Sequence, residues 1–118
     1  MMLEDMVFKA LSHPVRREIL GLLAIAPRSV KELTAKFEMS QPAISQHLKE
    51  LKTADLVTSE RIGLEHHYRL TPQPLKYILH WSDAYRPLID PSGHVWTFTS
   101  ANKRDKKVRS KGEIQDGR

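Results

Sequence analysis

The chain has 118 residues, 40% of them hydrophobic, no cysteine and a formal net charge of +5. That length holds one compact domain with a modest core and leaves no room for a second, catalytic domain. The missing thiols exclude disulfides, thiolate metal sites, iron–sulfur clusters and cysteine nucleophiles. Seven basic residues (Lys103, Arg104, Lys106, Lys107, Arg109, Lys111, Arg118) against three acidic ones (Asp105, Glu113, Asp116) put most of the charge in residues 101–118. The body is close to neutral, so basicity alone is no evidence of a nucleic-acid-binding fold.

Met1 to Ala10 is mixed and acidic, unlike a signal peptide. No apolar run approaches the roughly 18 residues of a membrane span. The expectation is a cytoplasmic protein without membrane attachment.

In chain order, Met2 to Leu11 reads as a first helix with Leu3, Met6, Val7, Ala10 and Leu11 at three- and four-residue steps. Pro14 suits the first turn of a second helix, where its missing N–H would have no partner anyway. That helix runs to about Ala26, burying Val15, Ile19, Leu22, Leu23 and Ala26, and ends at Pro27. Ser29 to Glu32 has the spacing of a capping box, so a third, short helix begins at Val30 and turns Val30, Leu33 and Phe37 inward. Glu38-Met39 leaves room only for a tight turn.

Ser40 caps a fourth helix, Gln41 to about Thr53, that buries Ile44, Leu48 and Leu51 and faces Gln41, Pro42, Ser45, Gln46 and Lys49 outward. Two short helices joined in this way form a helix-turn-helix unit. The period then changes. Leu56 to Ile62 and Glu65 to Leu70 are rich in strand formers and flank Gly63-Leu64, a two-residue hairpin turn and hence a wing. A last helix, roughly Gln73 to Leu88, carries Leu75, Ile78, Leu79, Ser82 and Tyr85 on one stripe and is stopped by Pro87 and Asp90 to Gly93.

The expected fold is thus mainly α with a small β-hairpin: a winged helix-turn-helix in the order α-α-α-α-β-β-α over residues 1–89. Residues 90–99 read as a short arm and residues 100–118 as a disordered basic tail.

In such a unit the second helix enters the major groove with its N-terminal residues at the base edges. Gln41 and Gln46 offer planar amides suited to adenine, Ser45 bonds a base or a phosphate, Pro42 presents a compact surface for a thymine methyl, and Lys49 is placed for phosphate. With Ser40 these are the candidate recognition residues. On the wing, Arg61, His66 and Arg69 are candidates for an adjacent minor groove or its phosphates. Alternation sends His66 and His67 to opposite faces, so one of the two can face DNA.

The stretches Phe8 to Leu20 (FKALSHPVRREIL), Ser40 to Leu51 (SQPAISQHLKEL), Ala54 to Val57 (ADLV) and Tyr68 to Leu70 (YRL) resemble the ArsR family of winged-helix repressors, over about residues 4–89. The resemblance implies a homodimer on a palindromic double-stranded DNA operator, joined through the first and last helices, with Gln41, Pro42, Ser45 and Gln46 at the DNA-contacting positions. Leu3, Met6, Val7, Leu75, Ile78, Leu79, Ser82 and Tyr85 become the expected dimer interface.

Many members sense metals through a cysteine-containing box on the third helix; here Ser29 to Ala35 holds no cysteine. His80 and Asp83 lack partners for a carboxylate–histidine site. Leu75, Trp81 and Tyr85-Arg86 are similar to the metal-independent branch, in which aromatics fill the dimer interface. No metal and no cofactor are expected, and no effector is identified.

With no Gly-rich phosphate loop, no supported Ser-His-Asp set and no paired carboxylates, the inventory points away from an enzyme. The other readings are a winged helix that binds protein and sequence-independent nucleic-acid binding led by the basic tail.

Overall fold

The computed structural model describes residues 2–89. The described residues divide into two units, one up to His80 and one beginning at Trp81.

Helix α1 (Leu3–Leu11) buries Val7 and Ala10 and carries Glu4 and Asp5 in its first turn, where negative charge complements the helix dipole. Helix α2 (Pro14–Ile25) starts at Pro14 and buries Ile19, Leu20 and Leu23. Its cap is His13, whose Nδ1 accepts from the Val15 N–H at 3.2 Å. The apolar stripe is therefore shifted from expectation: Leu20 is buried while Ala26, beyond the helix end, is exposed.

A two-residue strand, β1 (Arg28–Ser29), leads directly into helix α3 (Val30–Thr34). The capping box forms in full: the Glu32 N–H donates to the Ser29 hydroxyl at 3.0 Å, and the Ser29 N–H donates to the Glu32 carboxylate at 2.8 Å. Helix α4 (Gln41–Thr53) matches its expected bounds. Its end is a Schellman motif, with the Asp55 N–H on the Lys52 carbonyl and the Leu56 N–H on the Leu51 carbonyl. Asp55 takes the left-handed position at φ 58°, usual for glycine but tolerated by a short polar side chain.

Strands β2 (Val57–Ile62) and β3 (Glu65–Leu70) form the hairpin around Gly63-Leu64, with Gly63 at φ 64°. The sheet has three strands, not two. β1 pairs with β3 in the order β1-β3-β2, all antiparallel, placing Arg28 opposite Tyr68 and Ser29 opposite His67.

The expected single last helix is three pieces: a 3-10 turn at Gln73–Leu75, helix α5 (Lys76–Ser82) and a second 3-10 stretch at Asp83–Leu88. Pro87 explains the tighter winding at the end, since it lacks an N–H and its ring crowds the carbonyl four residues back.

The core gathers Val7, Ile19, Leu33, Ile44, Leu48, Leu51, Leu56 and Val57, each essentially sealed from solvent. Val7 was expected at a dimer interface. It is wholly buried within its own chain, so it has no surface left for a second one. No helix of the described residues is long and apolar enough to cross a membrane.

Candidate nucleic-acid interface

The two faces of α4 are cleanly divided. Ile44, Leu48 and Leu51 have 0% exposure, and Gln41, Pro42, Ser45, Gln46 and Lys49 are all exposed. Anchored by three core side chains, the helix holds its polar row in place. Ser40 accepts from the Ala43 N–H at 3.3 Å. The cap uses a lone pair, so the hydroxyl remains a donor. At the far end the helix is tied to the hairpin by Lys52, whose Nζ donates to the Ser59 hydroxyl at 2.9 Å.

The strand register sorts the wing residues. Residues directly opposite one another share a face: Val57 with Leu70, Ser59 with Tyr68 and Arg61 with His66 on one side, Thr58 with Arg69 and Glu60 with His67 on the other. Arg61 and His66 thus lie together on the face whose inner end packs in the core. Arg69 is on the reverse face, where it lines a small recess with Glu60 and His67. The three expected wing contacts are therefore not one set. His66 and His67 do part to opposite faces, and His67 Nε2 stands 3.4 Å from the Glu65 carboxylate.

Between the start of α4 and the wing tip runs a groove of about 260 Å3, lined by Val30, Lys31, Gln41, Leu64, Glu65 and His66. Lys31 was not singled out from sequence. Its signal was position: the first helix of a helix-turn-helix crosses the DNA backbone, and an exposed lysine there is suited to phosphate.

Behind the polar row lies a cluster of nitrogen bases. Arg16 Nε donates to His47 Nδ1 at 3.2 Å, its Nη1 donates to the Lys9 carbonyl at 3.3 Å, and the His13 and His47 rings are 4.4 Å apart between centroids. Burial first, then electrostatic coupling to His13 and Arg16, holds His47 below its ordinary value, with Glu50 opposing.

Of the other expected interface residues, Leu3, Met6, Leu75 and Ile78 are half-buried against the core, and Leu79 is 62% exposed. In the second unit, Ser82 is half-buried, and Tyr85 is 47% exposed with its ring 5.2 Å from that of Trp81. Asp83, considered with His80 for a metal, accepts from Arg86 Nη2 at 2.7 Å. Among the described residues no three His, Asp or Glu side chains gather as a metal site.

The family model for "Bacterial regulatory protein, arsR family" matches residues 13–59. The HTH-type transcriptional regulator Rv2034 of Mycobacterium tuberculosis is 39% identical over 97 residues, covering 75% of this chain and 91% of the relative. The transcriptional repressor SdpR of Bacillus subtilis is 37% identical over 75 residues, covering 64% and 83%. Among solved structures, the homodimeric winged helix-turn-helix DNA-binding domain of a possible ArsR-family regulator from Mycobacterium bovis superposes with a TM-score of 0.59 at 30% identity, covering 73% of this chain and 82% of that one. The fold is thus a winged helix-turn-helix, and the chain belongs to the arsR family of bacterial regulatory proteins.

Proposed function

We propose that the protein is a cytoplasmic transcriptional repressor that binds a palindromic DNA operator as a homodimer, with α4 in the major groove. The observation that carries this reading is the row Gln41, Ser45, Gln46 and Lys49, exposed on a helix whose other side is fully anchored. Two carboxamides at the N-terminal half supply paired donors and acceptors for base edges, and Lys49 meets phosphate. Lys31 and His66 line the groove beside the start of α4, and with Arg61, opposite His66 on the wing, they add backbone contacts. Arg69, on the reverse face, is left out of this set.

Homodimerisation is supported by the exposed Leu79 and, in the second unit, by exposed Trp81, Tyr85 and Leu88, side chains of a kind that self-association commonly covers. The homodimeric M. bovis neighbour supports it as well. Two-fold symmetry would set the recognition helices about 34–36 Å apart, one turn of duplex. Repression follows most simply from covering a promoter, and the B. subtilis relative is itself a transcriptional repressor.

Selection of bound duplexes from a random library by the full chain tests this. An imperfect palindrome is expected, retained by a chain ending at Thr99. Gln41→Ala and Gln46→Ala should each cost about 1–3 kcal/mol at that operator and little on unrelated DNA. Absence of any enriched motif, or glutamine variants with unchanged selectivity, would overturn the reading.

A further inference from the structure

We infer that Arg16 and His47, with His13 beside them, form a proton-sensitive latch that seats the recognition helix on α2, so that operator binding weakens as the solution becomes acidic. The inference rests on the operator-binding reading above and adds two positioning residues that touch no DNA in it.

His47 is half-buried between exposed Gln46 and fully buried Leu48. Its Nδ1 accepts from the Arg16 guanidinium, so it carries no proton, and the neutral ring bears its hydrogen on Nε2. Arg16 is steadied from the other side by the Lys9 carbonyl of α1. The His13 Nδ1 is likewise occupied, accepting from the Val15 N–H. The latch thus joins α1, the start of α2 and the middle of α4, and its central Arg16–His47 bond requires a neutral His47 imidazole.

Protonating His47 removes the acceptor and sets an imidazolium against the Arg16 cation and the His13 ring. The charged and titratable groups acting on it are His13 and Arg16 from α2 and Glu50 from α4, and only Glu50 favours the proton. Because the folded value is depressed, the unfolded or undocked chain takes the proton first. The seat is fully stable above about pH 6.5, the ordinary histidine value, and is lost as pH falls through the folded value below it. Gln46 is the next residue in the chain, so release of the seat displaces the base-reading row.

The test is operator binding by the full chain at constant ionic strength, followed by fluorescence anisotropy. Affinity should fall between about pH 7.5 and about pH 5.5, by less than about tenfold, because a group titrating below about 6.5 is less than ten to one protonated at the lower pH. His47→Gln keeps an acceptor for Arg16 but cannot titrate, so it should bind like the parent at the higher pH and stay flat. A variant profile identical to the parent's, or binding that tightens in acid, overturns the latch. NMR titration of the His47 ring protons without DNA is an independent arm: His47 must titrate below the ordinary histidine value of about 6.5, and a value at or above it refutes the proposal even if the variant does not fold. Failure to bind any operator at the higher pH would count against the DNA reading instead, and the NMR titration of His47 would still decide the latch.

Discussion

Helices α4 and α5 sit on opposite sides of the hairpin in the sequence and solve different problems. α4 has a cap at each end and three core residues at 0% exposure, and its outward side is polar. α5 has seven residues and buries none of them fully; Leu79, on its exposed side, is 62% open to solvent. The first is complete within one chain and offers chemistry outward. The second offers apolar surface outward, which water disfavours and a partner surface would cover. One element is finished by folding; the proposed homodimer would finish the other.

The largest expected effect breaks the contrast at its strong end. Leu48→Ala leaves a cavity under the recognition helix and should lower unfolding free energy by about 2–5 kcal/mol in urea titrations. A loss well below that would mean the helix is held by something other than its core stripe.

Next comes the other helix. Leu79→Asp should raise the dimer dissociation constant about tenfold or more, near 1.4 kcal/mol, while circular dichroism stays unchanged. Sedimentation equilibrium reads the shift, and an unaltered dimer would remove Leu79 from the interface.

Smallest is the hydrogen-bond pair at the head of the helix-turn-helix. Ser29→Ala should cost about 1 kcal/mol. The Ser29 backbone N–H foremost, against the opposing effect of desolvation, holds the Glu32 carboxyl below its ordinary value, aided by the Ser29 hydroxyl, His67 and Arg28. The stability it contributes is complete above the ordinary carboxylate value and is lost as pH falls through the lower folded value. Glu32→Gln should therefore flatten the acid side of a plot of melting temperature against pH, and an unchanged acid side would show that the box does not couple to folding.

The same division explains what could be read in the amino-acid string. The expected bounds of α4 were met because capping residues and an i, i+4, i+7 stripe are local signals. Strand β1 went unseen because two residues have no period, and its pairing with Tyr68 and His67 is a long-range fact. Val7 was assigned to an interface because a helical stripe declares only that it is covered, not by which chain. Arg69 was grouped with Arg61 and His66 by charge, whereas register, once known, separates them. The last helix was drawn through Pro87 as one piece, while the backbone tightens into 3-10 winding before it. The latch of Arg16 and His47 spans 31 positions in sequence, and no spacing rule joins them.

Ser29 belongs to two structures at once: it pairs with His67 in the sheet and caps α3 through its hydroxyl, and it is 2% exposed. The wing is thereby stitched to the first residue of the helix-turn-helix instead of hanging from its own two strands. An arm fastened at its root has little freedom to lose when it meets a duplex, so the entropy cost of ordering the wing is met during folding and not at binding. Loosening that stitch should accordingly show up in the binding entropy before it shows up in any contact.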